Sequence, residues 1–216
     1  MSPGITSQFI LVTTVSIFTI VNPLGATPLF ASHVTGLSKK ERHRMARRAS
    51  ATCALILLAF AVAGQGLLQL MGISIPALRI AGAALVFVVA LDMIRGANIR
   101  SRTLPEEQKE AAEKHDISII PLAVPLLSGP GAITTVIILM SHSKGWVQDG
   151  VVCAAIIFVS ILTFFILSGS LYFLRWIGPS GVRVMNRLMG LILAAIAAQF
   201  VINGIKDLLP EFSKLT

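Results

Sequence analysis

The sequence predicts an all-α integral membrane protein with six transmembrane helices, arranged as two inverted three-helix repeats in which helices 1 and 4 are discontinuous. Three observations predict it. The 216 residues are 55% hydrophobic and only 13% charged, with a mean hydropathy of +0.82, well outside the soluble globular range. Apolar windows at 8–33, 49–71, 78–94, 117–141, 150–174 and 184–206 each approach the length that crosses a hydrocarbon core of about 30 Å. The first and fourth windows are interrupted at their centres by prolines and glycines.

The first window contains Asn22-Pro23-Leu24-Gly25-Ala26-Thr27-Pro28. A proline has no N–H, and its ring crowds the carbonyl four residues back. Pro23 is therefore expected to free the Thr19 carbonyl, and Pro28 that of Leu24. An unpaired backbone group in hydrocarbon costs several kcal/mol, so such a break belongs where it lines a cavity inside the protein. No Lys or Arg precedes this window, and it is too long for a signal-peptide core, so it reads as a retained span.

The second window is regular and rich in alanine. Gln65 and Gln69 share one helical face there, suited to interhelical hydrogen bonds or to a polar path. His33 and His43, at the edge of the basic segment before it, read as solvated. The third window ends at Asp92-Met-Ile-Arg95, and Asp92 is the one acidic residue plainly inside an apolar window. It reads either as an ion pair with Arg95 or as a proton-coupling group. The charged stretch that follows divides the chain into a first repeat at 1–96, a cytoplasmic linker at 97–116 and a second repeat at 117–216.

The fourth window repeats the interruption, with Pro125 and then Ser128-Gly129-Pro130-Gly131, followed by Thr134. Pro125 and Pro130 are expected to free the carbonyls of Pro121 and Leu126. Windows five and six carry Ser160, Thr163, Ser168-Gly169-Ser170 and Gly190, small residues that permit close helix packing. Trp146 and Trp176 sit where interfacial aromatics are expected. Cys53 and Cys153 lie in apolar windows without metal-ligand spacing, so no metal or other cofactor is expected.

The net charge of +8 raises the question of nucleic acid, and its distribution decides against it. Segments alternating along the six spans carry 14 basic residues on one side and 4 on the other. That asymmetry places both termini outside the cytoplasm, with Lys39, Lys40, Arg42, Arg44, Arg47 and Arg48 against anionic lipid headgroups.

The halves also repeat. Arg79, Gly82, Ala90, Ile94 and Gly96 recur 108 positions on as Arg187, Gly190, Ala198, Ile202 and Gly204. Pro23 and Thr27 recur 107 positions on as Pro130 and Thr134. Three spans per half force the second half to insert upside down, the architecture of secondary transporters.

The pattern Asn-Pro-x-Gly-x-x-Pro at Asn22–Pro28 and the pattern Pro-Leu-x-x-Pro-x-x-x-Gly-Pro-Gly-Ala-Ile at Pro121–Ile133 resemble those of the MarC family, and the resemblance covers nearly the whole chain. It implies a multi-pass protein of a prokaryotic inner membrane that transports small neutral amino acids such as glycine and alanine, coupled to protons or another ion. Homo-oligomers are compatible with it. On this reading substrate contacts fall to Asn22, Gly25, Ser128, Gly129 and Gly131, with hydroxyls from Thr27 and Thr134. Pro23, Pro28, Pro125 and Pro130 fix the breaks, and Asp92 is the candidate for proton coupling. The residues themselves suit a zwitterion, because neither break contains a charged side chain.

Other classes remain open at this stage. A channel or an exporter for another small polar solute could use the same broken backbone. An enzyme is disfavoured, since no nucleophile–base pair, paired intramembrane carboxylates or metal cluster is legible. A non-transporting membrane partner is disfavoured because no loop is long enough for a signalling domain.

Overall fold

The computed structural model describes residues 7–96 and 127–212, and among these it contains helices and turns with no strand. Helices α1 (Ser7–Val21) and α2 (Pro23–Val34) divide the first window. The next two are α3 (Lys39–Leu70) and α4 (Ile75–Arg95). After them come α5 (Pro130–His142), α6 (Trp146–Ser168) and α7 (Ser170–Phe212). Among the described residues five runs are long and apolar enough to cross a membrane: Ser7–Ala31, Lys39–Leu70, Ile75–Arg95, Trp146–Ser168 and Ser180–Leu208. α5 is apolar but, with 13 residues, only about 20 Å long. Pro125, the linker at 97–116 and the start of the fourth window lie outside the described residues.

Helix ends follow local chemistry. The segment expected as a loop up to Arg48 is helical from Lys39, because Ser38 and Glu41 form a capping box. The Ser38 hydroxyl accepts from the Glu41 N–H at 3.3 Å, and the Glu41 carboxylate accepts from the Ser38 N–H at 2.9 Å. The basic residues thus lie along the first turns of α3. Ser74 caps α4 in the same way by accepting from the Ala77 N–H. The last long element bends at Gly178, whose φ of 70° suits glycine.

The larger helix contacts all join a helix of residues 7–96 to one of residues 127–212. The most extensive pairs α4 with α7, running antiparallel. A Cβ on Gly190 would fall 2.9 Å from the Ala90 carbonyl oxygen, so only glycine allows this approach. α3 packs on α6 and α5, α1 and α2 pack on α6, and α2 also meets α7.

Outward faces are apolar. Leu55, Val62, Phe158 and Phe165 are all more than half exposed, a surface that belongs against lipid tails rather than water. Trp146 and Trp176 are also exposed, as membrane anchors would be.

Candidate functional site

The first break occupies a single residue. Asn22 has φ 49° and ψ 58°, the left-handed conformation that asparagine tolerates better than most side chains. Its N–H still closes α1 on the Phe18 carbonyl at 2.9 Å, and its own carbonyl accepts from the Ala26 N–H at 3.2 Å. Its side-chain Oδ1 caps α2, accepting from the Gly25 N–H at 3.1 Å, and Pro23 occupies the first position of the new helix. In a continuous helix the Gly25 N–H would serve the Val21 carbonyl. That carbonyl and the Thr19 carbonyl, facing a proline nitrogen, are therefore both released from helical pairing.

Three residues named for this break have roles inside α2. Gly25 is buried, and a Cβ there would lie 2.4 Å from Asn22 Nδ2, so glycine makes room for the capping side chain. Thr27 is fully buried and donates its hydroxyl proton to the Pro23 carbonyl at 3.0 Å. Pro28 does not break the chain. The helix runs through it to Val34, which corrects the expectation of a break extending from Asn22 to Pro28. One left-handed residue already reorients the chain, and Pro28 sits in the second turn of the new helix.

The start of α5, where the sequence predicts the second break, is built differently, and the chain before Leu127 lies outside the described residues. Gly129, at φ −62° and ψ 173°, is the cap residue of α5 and supplies no side-chain hydrogen bond. Pro130 occupies the first helical position, as Pro23 does in α2. The N–H groups of Ala132 and Ile133 both donate to the Gly129 carbonyl, at 2.9 and 3.1 Å, which leaves the Gly131 N–H without an intrahelical partner. Ser128 is buried just before the break.

The fold brings the two breaks together. A Cβ on Gly131 would lie 2.4 Å from Val86 Cγ2 of α4 and 3.8 Å from Ile20 Cγ2, two residues before Asn22. One turn along α5, Thr134 packs against Gly82 of α4, where a Cβ would meet its Cγ2 at 2.5 Å. Thr134 is buried. On the other side Asn22 Nδ2 donates to Met93 Sδ at 3.5 Å, a weak acceptor. Asn22, Val86, Met93, Gly131 and Thr134 thus surround one region between α1, α2, α4 and α5.

Asp92 lies half-buried in the last turn of α4, beside Met93 in sequence, and it is not an isolated charge. Among the described residues no group of three His, Cys, Asp or Glu could hold a metal ion.

One polar cluster was missed in the sequence. Arg79, 5% exposed, pairs through Nη1 with Asp207 Oδ2 of α7 at 2.5 Å. Its Nη2 lies 3.3 Å from His142 Nε2 at the end of α5. Read linearly, Arg79 is a loop charge at the edge of a window, and its partners are 63 and 128 positions away. The one linear signal was an arginine within the α4 pattern without an acidic neighbour.

Apolar helices with lipid-facing surfaces and an interrupted core define a multi-pass integral membrane protein. The model of the MarC family integral membrane proteins matches residues 7–209, and the chain belongs to that family. A UPF0056 membrane protein of Methanocaldococcus jannaschii is 38% identical over 202 residues, covering 94% of this chain and 98% of the relative. The UPF0056 membrane protein YvbG of Bacillus subtilis is 36% identical over 94% of this chain and 97% of its own length. The corresponding figures for YhcE of Escherichia coli are 33%, 91% and 91%. No solved structure matches the chain.

Proposed function

We propose that this protein is a secondary transporter, not an enzyme, that carries small neutral amino acids such as glycine and alanine across a prokaryotic inner membrane with proton coupling. The observation that carries the reading is the close approach of the break between α1 and α2 to the start of α5, with α2 and α5 each beginning on a proline. A zwitterion needs acceptors for its ammonium and donors for its carboxylate. Released carbonyls at the end of α1 suit the first, and the uncapped N-terminus of α5 suits the second. Asn22, Ser128, Gly129, Gly131 and Thr134 form the cradle, and Gly25 and Thr27 shape its α2 wall. Val86 and Met93 bound its size, which favours small side chains.

Inverted repeats support the same reading. Exchanging the halves maps α3 against α5 onto α6 against α1 and α2, and α4 against α5 onto α7 against α2; all of these contacts are present. With the basic start of α3 in the cytoplasm, both termini and the Arg79 cluster face outside.

The test is counterflow of labelled alanine and glycine into proteoliposomes, with and without an inward proton gradient. Saturable, gradient-stimulated uptake is expected. Flux that never saturates would favour a channel, and no flux for any small neutral amino acid would overturn the proposal.

A further inference from the structure

We propose that His142 is a proton-binding site that controls a clasp between α4, α5 and α7. His142 Nδ1 lies 2.8 Å from the Ile138 carbonyl, an oxygen that can only accept, so Nδ1 carries a hydrogen. Nε2 lies 3.3 Å from Arg79 Nη2, a nitrogen that can only donate, so Nε2 offers its lone pair. Together the two contacts assign the neutral Nδ1–H tautomer. Ser141 Oγ, also near Nδ1 at 3.2 Å, donates to the same Ile138 carbonyl and leaves the assignment unchanged.

In this state the guanidinium joins three helices. Arg79 belongs to α4, its carboxylate partner Asp207 to α7 and its imidazole partner to α5. The Arg79 side chain is 6% exposed, that of Asp207 is 43% exposed and His142 is exposed, so the clasp lies at the rim of the molecule. One more proton can bind only at Nε2. There it removes the acceptor of Arg79 and sets an imidazolium against a guanidinium, so the α4–α5 contact opens while Arg79 keeps Asp207.

The surrounding charges do not replace this partner. Asp149, in the first turn of α6, accepts from the Ser143 hydroxyl. Lys144 just before α6 and Lys206 on α7 are the nearby cations. α1 has no charged residue, and the nearby end of α3 offers only Gln65 and Gln69. Among the described residues, the charged side chain recorded against His142 is that of Arg79, whose other Nη holds Asp207.

For its consequence the inference rests on the transporter reading. The clasp lies at the end of the molecule opposite the basic start of α3, so an external proton would loosen the outward end of α4 and α5, which carry Val86, Gly131 and Thr134. That would link proton entry to access of substrate to the cradle.

A test independent of transport uses spin labels at Met71 and Trp146, both exposed, beside the start of α4 and the end of α5. Cys53 and Cys153 are replaced by alanine in this background. Acidification from about pH 8 to about pH 5 should lengthen the inter-label distance in the full-length protein. His142→Gln, which keeps an acceptor for Arg79 and takes no proton, should hold the short distance at both values. A wild type that does not respond, or a His142→Gln variant that responds equally, would overturn the proposal. If His142→Gln does not fold, Arg79→Gln serves instead, because protonation then has no guanidinium to displace; a retained response would overturn the proposal. In proteoliposomes, His142→Gln should keep alanine exchange and lose its stimulation by the proton gradient. Exchange with intact gradient stimulation would overturn the role of His142 alone, whereas absence of all flux in the wild type would contradict the transport reading alone.

Discussion

The first break turns on Asn22, which caps the helix it begins, whereas the second turns on Gly129, which brings no side chain and leaves α5 uncapped. Both α2 and α5 start on a proline, yet their third N–H is met differently, by the Asn22 side chain in α2 and by the Gly129 carbonyl in α5. At Asn22 the side chain takes the Gly25 N–H, the Leu24 N–H has no partner within α2, and the carbonyls that close α1 remain. At Gly129 the N–H of Gly131 remains. On the transporter reading, the carbonyls that close α1 would face the ammonium of a zwitterion and the N-terminus of α5 its carboxylate.

Substitutions can break or sharpen that contrast, and the largest effect is expected at Gly131. Gly131→Val places new methyls into Val86, whose Cγ2 is already 2.4 Å from a bare Cβ, and overpacking of this kind costs about 1–3 kcal/mol. Alanine counterflow should be abolished, and adding Val86→Ala should recover folded yield more than flux, because the N–H approach stays blocked. Recovery of both would remove Gly131 from the cradle.

Asn22→Ala comes next. It loses the cap, about 1 kcal/mol, and forces alanine into a left-handed conformation, about 1–2 kcal/mol more. Gly129→Ala should change stability by less than about 0.5 kcal/mol, since its φ of −62° suits any residue. Denaturation in detergent measures both, and equal losses would contradict the asymmetry described here. Asn22→Gly then separates the two causes, because it restores the backbone conformation and sacrifices only the cap, a few tenths of a kcal/mol.

The smallest effect is expected at Pro28. Since α2 runs through it, Pro28→Ala should preserve counterflow and leave stability equal or higher, because a helical N–H is regained. A large loss of flux would show that Pro28 shapes the break from a distance.

Much of this was legible in the sequence. Five of the six apolar windows marked helices long enough to cross a membrane, because crossing hydrocarbon leaves the chain few alternatives to a helix of fixed length. Asn22-Pro23 and Gly129-Pro130 marked the restarts, because a proline fits the first helical position. Proline content alone could not distinguish Pro28, which a helix accommodates, from Pro23, which begins one. The capping box at Ser38 and Glu41 was present as a local pattern but masked by the basic charges around it. Arg79, His142 and Asp207 could not be read together, since the antiparallel packing of α4 and α7, with α5 beside α4, is what joins them.

The most direct measurement is a structure of the protein determined with alanine bound. The account predicts the ammonium beside the Thr19 and Val21 carbonyls and the carboxylate on the Gly131 N–H, with Thr134 within hydrogen-bonding reach. Alanine bound elsewhere, with both breaks sealed against each other, would contradict it.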